Sequence, residues 1–283
     1  MTPDWLGAAR RAAQAMSAML AEHPTIAERV VETGERGEGG DRTLEIDAAA
    51  ERAVFAELER LHDEGARFTV VSEERGTVDY GGAGGNGVVV VVDPIDGSMN
   101  AKRGMPHHAL SIAVAEGTTM ADVVFGYVRD FGPAEEWVAW RGRGAELNGA
   151  RLDPALGERR TGDGKLELVG IESADPRWIR DSVDALVETS HRLRAIGTIA
   201  STLCQVAGAR LDGMTTLRNC RSVDAAAAQL IVREAGGHVA FTSCREPLAA
   251  PLDLAPHSPV VAARTREGLR EMAAVMGLPP WMA

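Results

Sequence analysis

Apolar residues recur at helical spacing along the first part of the chain and then switch to strand spacing. From Asp4 to Glu22 an Ala-rich amphipathic pattern, with Asp4 as candidate N-cap and Pro24 beyond its end, predicts a first helix. Ile46, Ala50, Val54, Leu58 and Leu61 then paint one face of a second helix that starts near Asp47. Between them GERGEGGDR, Gly34 to Arg42, predicts a flexible stretch able to close over a site and bring Arg36 or Arg42 to it. RFTVVSEE and VVVVVD read as buried strands ending in acids, separated by the turn-forming GGAGGNG. HALSIAVAEG, ADVVFGYVRD and EEWVAWRG alternate with turns at Gly117, Gly132-Pro133 and Asn148-Gly149, the pattern of an antiparallel meander.

Composition shifts at LDPALGERRTGDGK, Leu152 to Lys165, so the expected division is 1–155 and 156–283. Beyond it come strand LELVGI, a helix from Pro176 to Ser190, strand HRLRAIG and a helix from Thr198 to Ala209. A strand near Gly213 to Leu217, a helix from Asp224 to Ala235 and strand HVAFTS complete a βα pattern. The expected fold is an α+β half with an antiparallel sheet, packed on an α/β half with a mixed sheet.

Charge narrows the partners. The chain has 283 residues, with 41 acidic and 30 basic side chains, a net −11. That excess argues against a nucleic-acid polymer, whose phosphates are held mainly by Lys and Arg. It looks equally unsuited to any anionic ligand. Cys204, Cys220 and Cys244 are odd in number and lack CxxC spacing, which excludes a disulfide scaffold and a zinc ribbon and suggests the cytoplasm. The N-terminus has no signal-peptide pattern, and the longest apolar run, Val88 to Val92, is too short for a bilayer. No membrane partner is expected.

Four acidic spots sit at the edges of apolar elements. Asp93-Pro94-Ile95-Asp96-Gly97-Ser98 follows five valines. The strand delivers Asp93 to its tip, Pro94 ends the ladder, and Asp96 can share a focus with Asp93. Gly97 and Ser98 open a short helix whose N–H groups suit a phosphate. Read alone, the segment is as well explained as an Asx-rich turn with an N-cap serine. Glu73-Glu74 ends FTVVS, although adjacent glutamates are ordinarily a solvated loop. Asp47 and Asp224 open helices, where capping alone accounts for them. Their conjunction points further, because clustered carboxylates repel and call for hard divalent cations, magnesium best among them.

LEID, VSEERG, DPIDGSMN and SVDAAAAQLIVREAGG, in this order, resemble the signature of the magnesium-dependent, lithium-sensitive phosphatase superfamily of inositol monophosphatase, fructose-1,6-bisphosphatase and bisphosphate nucleotidase. NAKRGMP, FGYVRD, LNG and AIGTIASTLCQVA are similar to the dual-activity inositol monophosphatase/fructose-1,6-bisphosphatase branch. The resemblance implies an αβαβα layered sandwich, a homodimer, and a phosphomonoesterase of a small sugar or cyclitol phosphate that uses metal-activated water. It implies that Glu73, Asp93 and the Ile95 carbonyl hold one Mg2+. Asp93, Asp96 and Asp224 would hold a second, and a third ion near Glu73 is possible within the family. Ser98 bonded to Asp47, or Glu73, would orient the water and take its proton; Gly97 and Ser98 would bind phosphate; Glu74 would support from behind. Gly197 and Thr198 match positions that line the family's substrate pocket.

Four residues depart from the family pattern. Ser98 replaces a commoner threonine, Val223 a common tryptophan, and Arg218 and Arg221 stand where inositol monophosphatases place a glutamate. Arginine there tilts the choice toward a bisphosphate or another dianionic sugar; a surface charge or local salt bridge explains either equally well. Two other readings stand beside the phosphatase: a 3′(2′),5′-bisphosphate nucleotidase, and a non-catalytic regulatory protein that keeps the fold. The glycines at 82, 84 and 87 match a dinucleotide motif in the wrong context, since a strand rather than a helix follows. His107-His108 lacks partners at metal-ligand spacing, and Trp137 and Trp140 suit packing. Two magnesium ions would add +4 at the acidic cluster, so the −11 that seemed to exclude an anion indicates a cation requirement there.

Overall fold

The structure, a computed structural model, describes residues 3–23, 25–36, 42–81 and 87–277. Helix α1 (Trp5–Glu22) is capped as expected: Asp4 Oδ1 accepts the Gly7 N–H at 3.0 Å. The single turn α2 (Ile26–Arg29) and the antiparallel pair β1 (Glu32–Arg36) and β2 (Arg42–Leu44) follow. Backbone at 34–36 and at 42 is therefore paired strand. The tip of the expected flexible stretch, 37–41, lies outside the described residues, as does 82–86 of the glycine-rich turn. Helix α3 (Glu45–Asp63) starts before Asp47 and places it in the first turn.

The larger sheet comprises β3 (Thr69–Ser72), β4 (Gly76–Asp79) and β5 (Val89–Asp96), then, after the short α4 (Ser98–Lys102), β6 (Ala109–Ala115), β7 (Val123–Asp130), β8 (Glu135–Trp140), β9 (Gly144–Leu147) and β10 (Ala150–Arg151). Its order is β10-β9-β8-β7-β6-β5-β3-β4. Pairing is antiparallel as expected, except that β3 and β5 run parallel: β4 folds back along the outer side of β3, so the chain re-enters on the inner side in β3's direction.

The second sheet uses β11 (Leu166–Glu172), β12 (Ser190–Arg194), β13 (Gly213–Thr216), β14 (His238–Phe241) and β15 (Val260–Ala263). Between and after these strands lie α5 (Pro176–Thr189), α6 (Ile199–Ala207), α7 (Ser222–Glu234) and α8 (Arg266–Val275). The order β12-β11-β13-β15-β14 is mixed, parallel through β13 and antiparallel beyond it. Strand β15 and helix α8 lie beyond the elements the sequence predicts. Strand β15 has only four apolar residues, and α8 is announced by little more than its cap, Thr265, which accepts the Gly268 N–H.

Alternation along β5 explains the layering. Val90 and Val92 face a core with α1 and α3, through Met16, Val54 and Phe55. Val91 faces the opposite core, where α6 and α7 lie between the two sheets. Helices α5 and α8 cover the far face of the smaller sheet through Leu186 and Met272. Both faces of β5 are therefore dry, which is why its run of valines does not alternate with polar residues. Helix α7 is buried from Ser222 to Val232, and its alanines let it approach closely. A Cβ on Gly126 of β7 would sit 2.5 Å from the Ala227 carbonyl oxygen, so glycine is required there. This contact draws the N-terminus of α7 toward the C-terminal end of β5. Among the described residues no helix is long and apolar enough to cross a membrane.

Candidate active site

Asp93 and Asp96 are three apart, a spacing that would aim them at opposite faces of a regular strand. The register slips between them: Asp93 pairs with Ser111 and Asp96 with Ala109, so three steps on β5 oppose two on β6. Pro94, with no N–H to donate, sits in this bulge, which turns both carboxylates toward one region. The Ile95 N–H donates to Asp93 Oδ1 at 3.0 Å and fixes the turn. Gly97 then adopts φ 84°, ψ 37° as cap of α4. A Cβ there would meet the carbonyl oxygens of Gly197 and His107 at 3.0 and 3.1 Å. Only glycine satisfies both the left-handed backbone and the close approach.

Glu73 and Glu74 occupy the turn after β3. That turn is held by Glu51 of α3, which accepts the Ser72 hydroxyl at 2.7 Å and the Arg75 N–H at 3.1 Å. A narrow cleft of about 20 Å³ is lined by Asp47, Glu73, Glu74, Asp93, Pro94, Ile95, Ser98 and Lys102. Lys102 Nζ lies 4.0 Å from Asp47 Oδ2. Asp224, in the first turn of α7, accepts the Arg221 N–H at 3.0 Å. The Arg221 guanidinium reaches Glu73 Oε1 at 2.8 Å and Asp224 Oδ1 at 3.3 Å, bridging the turn after β3 and the first turn of α7. Asp96 accepts the Thr198 hydroxyl and, at 2.6 Å, the Ala200 N–H, so it also caps α6.

The electrostatics are those of crowded acids. Burial, then Asp224 and Glu74 against the pull of Arg221, raise Glu73 to about 7. Burial and Asp224 raise Asp96 to about 8, against its two hydrogen bonds. Asp93 is raised by burial and then by Glu73, Asp96 and Asp224. Burial opposes the charge on Arg221, yet Asp224, Glu73 and Asp93 outweigh it and hold its pKa raised. Among the described residues the carboxylates do not close into a ready-made shell of three or more metal ligands. The donor set nonetheless fits a hard divalent cation, being all oxygen, deeply buried and mutually repulsive.

Other expected site residues lie at various distances from this cluster. The Gly197 N–H donates to Glu172 Oε2 at 3.0 Å, and Thr198 caps α6 while binding Asp96. Arg218 instead is exposed and stacks on Trp178 at 4.2 Å, at the start of α5. His107 pairs with Asp130 at 2.9 Å, His108 stacks on Phe131, and Trp137 is buried in the core between the sheets.

Sequence reasoning missed Glu51, Asn100, Lys102 and Glu172. Glu51 falls one turn after Asp47 on the apolar side of α3, a legible signal. Glu172 tips β11 much as Asp93 tips β5, yet it accepts N–H groups of Ile196 and Gly197 and the Thr202 hydroxyl. Asn100 donates to the His107 and Ile196 carbonyls at 2.9 and 2.8 Å, tying α4 to the loop before α6.

The model of the inositol monophosphatase family matches residues 3–275. A fructose-1,6-bisphosphatase/inositol-1-monophosphatase of Methanothermobacter thermautotrophicus is 35% identical over 211 residues, 72% of each chain. The Nus factor SuhB of Haemophilus influenzae is 32% identical over 203 residues, 70% of this chain and 71% of its own. In fold, the extragenic suppressor protein suhB of Bartonella henselae superposes with a TM-score of 0.75 at 24% identity, covering 96% of this chain and 98% of that one. The layered sheets, the acid-tipped β5 and the near end-to-end match agree, and the chain belongs to the inositol monophosphatase family.

Proposed function

We propose that this chain is a magnesium-dependent phosphomonoesterase acting on a small sugar or cyclitol phosphate, of the inositol monophosphate or fructose 1,6-bisphosphate type. One observation carries the reading: Glu73 from the turn after β3, Asp93 and Asp96 from β5, and Asp224 from α7 face one another, with Arg221 as the cation between Glu73 and Asp224. Glu73, Asp93 and the Ile95 carbonyl are the first cation's ligands; Asp93, Asp96 and Asp224 are the second's. A bound divalent cation supplies positive charge to phosphoryl oxygens and lowers the pKa of water. Asp47, Ser98 and Glu73 line the cleft where a water would be oriented and its proton accepted. The N–H groups of Gly97 and Ser98 supply neutral donors to the phosphate. Arg221 neutralises Glu73 and Asp224 in the metal-free protein; with cations in place its guanidinium is available to a substrate anion. Exposed Val183 and Val187, one turn apart on α5, support pairing with a second copy.

Phosphate release measured with Mg2+ and with EDTA tests the reading. The panel is inositol 1-phosphate, fructose 1,6-bisphosphate and 3′-phosphoadenosine 5′-phosphate, with lithium as inhibitor. Magnesium-dependent turnover of either of the first two is expected, and its loss in Asp96→Asn. Preference for the third substrate moves the chain to the nucleotidase reading. Turnover of none favours the regulatory reading, which the relatives named Nus factor keep in view.

A further inference from the structure

A second cavity lies away from the carboxylates. It is an open groove of about 680 Å³ at the outer edge of the smaller sheet, between the end of α7, strand β14 and the first turns of α8. Its walls present Arg233, His238, Arg266 and Arg270, and its floor includes Leu248 and Leu269. Among the described residues no carboxylate lines it, in a chain whose net charge is −11. Among the described residues none of the three arginines forms an ion pair; Arg233 donates to the Gln229 amide oxygen at 3.2 Å.

Placement sharpens the point. Arg266 is the first residue of α8, where a cation opposes the positive end of the helix dipole. Glu267 beside it answers the dipole and is not one of the groove's lining residues. Arg270 is one turn on, so the two guanidinium groups share one face of the helix. Arg233 comes from another element, at the end of the buried α7. Burial chiefly, with Arg266 adding to it and Glu158 opposing, lowers the His238 pKa. Three forks converging on one space suit an organic phosphate, since guanidinium groups bind its oxygens in pairs. The volume fits a ligand of nucleotide size, and the leucines suit a flat apolar body.

The geometry points to this groove as a second, non-catalytic site that takes a nucleotide-sized phosphate ester. Nine residues of α7, about 13 Å of helix, separate Arg233 from Asp224, so the groove is distinct from the cleft. Binding here does not depend on the phosphatase reading.

Calorimetric titration with ADP in EDTA tests the assignment, because without cations the acidic cleft repels the same anion. We expect saturable one-to-one binding with Kd below about 1 mM. The double variant Arg266→Gln/Arg270→Gln should weaken it about a hundredfold, since each lost charge-assisted pair is worth about tenfold. Both side chains are exposed, so the fold survives their loss. Pyrophosphate, lacking the apolar body, should bind about tenfold more weakly than ADP, and hydrogen-exchange protection by ADP should appear at 237–248 and 266–270. Absence of saturable binding at several millimolar ADP overturns the proposal. So does protection confined to 73–98, or affinity that falls in Asp96→Asn but not in the arginine pair. Equal affinity for ADP and pyrophosphate overturns the ligand class.

Discussion

Two sets of buried carboxylates, one facing the cleft and one walled into the surrounding packing, are treated by the fold in opposite ways. In the wall, Glu172 collects two backbone N–H groups and a hydroxyl, Glu51 a hydroxyl and an N–H, and Asp212 the N–H groups of Arg159 and Leu168 at 2.8 Å. At the cleft, Asp93 has one N–H from its own turn and otherwise faces Glu73, Asp96 and Asp224. Burial raises Glu172 to about 7, opposed only by hydrogen bonds, whereas like charges add to the rise at Asp93. Burial of an acid therefore does not mark the site. What marks it is an acid whose neighbours are other acids rather than donors.

Asp93→Asn separates the two sets most widely. Removing this charge should lower kcat/KM about a thousandfold or more, within the range for a group acting directly on charge or proton transfer. The metal-free protein should melt higher, because a like charge has left the cluster. Calorimetry and phosphate release on one preparation check both; a lower melting temperature would place Asp93 with the wall acids. Glu172→Ala should do the reverse in stability, costing about 3 kcal/mol by denaturant titration as three buried donors lose their acceptor. Glu172 also carries a pH signature. Its folded pKa of about 7 exceeds the ordinary glutamate value of 4.5, so its contribution is greatest below 4.5 and is lost as pH rises through 7. Glu172→Gln should flatten that fall by an amount on the order of 3 kcal/mol.

Much of this contrast could be read from residues alone, and the part that could not has a physical cause. An acid following a run of β-branched residues is visible in sequence, and that pattern placed Asp93 and Glu73 at strand ends. The same pattern describes Glu172 after LELVGI and Asp130 at the end of FGYVRD. Glu172 is satisfied by backbone 24 and 25 residues away, and Asp130 by His107 23 residues earlier. Local pattern reports that an acid is delivered to an edge; the partner waiting there is set by tertiary packing. The fold was more legible, since helix faces and the valine run fix layers directly. The parallel β3–β5 pair depends on which side of β3 the chain re-enters, and no local residue encodes that.

Arg221 joins the two behaviours, as a donor placed among the cleft acids. Arg221→Gln should destabilise the metal-free protein by about 2 kcal/mol. That is less than the roughly 3–5 kcal/mol for breaking a fully buried pair, because a quarter of the side chain reaches solvent. Added Mg2+ should raise the melting temperature of both proteins and raise the variant's more, narrowing the gap to under about 1 kcal/mol. A gap that Mg2+ leaves unchanged would mean that arginine and cation do not serve the same carboxylates.

Asp96 belongs to both sets, and the smallest expected effect probes it. It is counted with the cleft by its charges, yet Thr198 and Ala200 treat it as a wall acid. Thr198→Val keeps shape while deleting the hydroxyl that donates to Asp96 and accepts the Ser201 N–H as the cap of α6. Loss of such a cap costs about 1 kcal/mol. Thr198→Ser, which retains both bonds, should cost a few tenths at most. If Asp96 is held mainly as a ligand, Mg2+ should restore most of the stability lost in Thr198→Val, because the cation then fixes the carboxylate in place of the hydroxyl. If it is held mainly as a helix cap, the loss should persist at saturating Mg2+. Denaturant titration of the two variants, with and without the ion, decides between them.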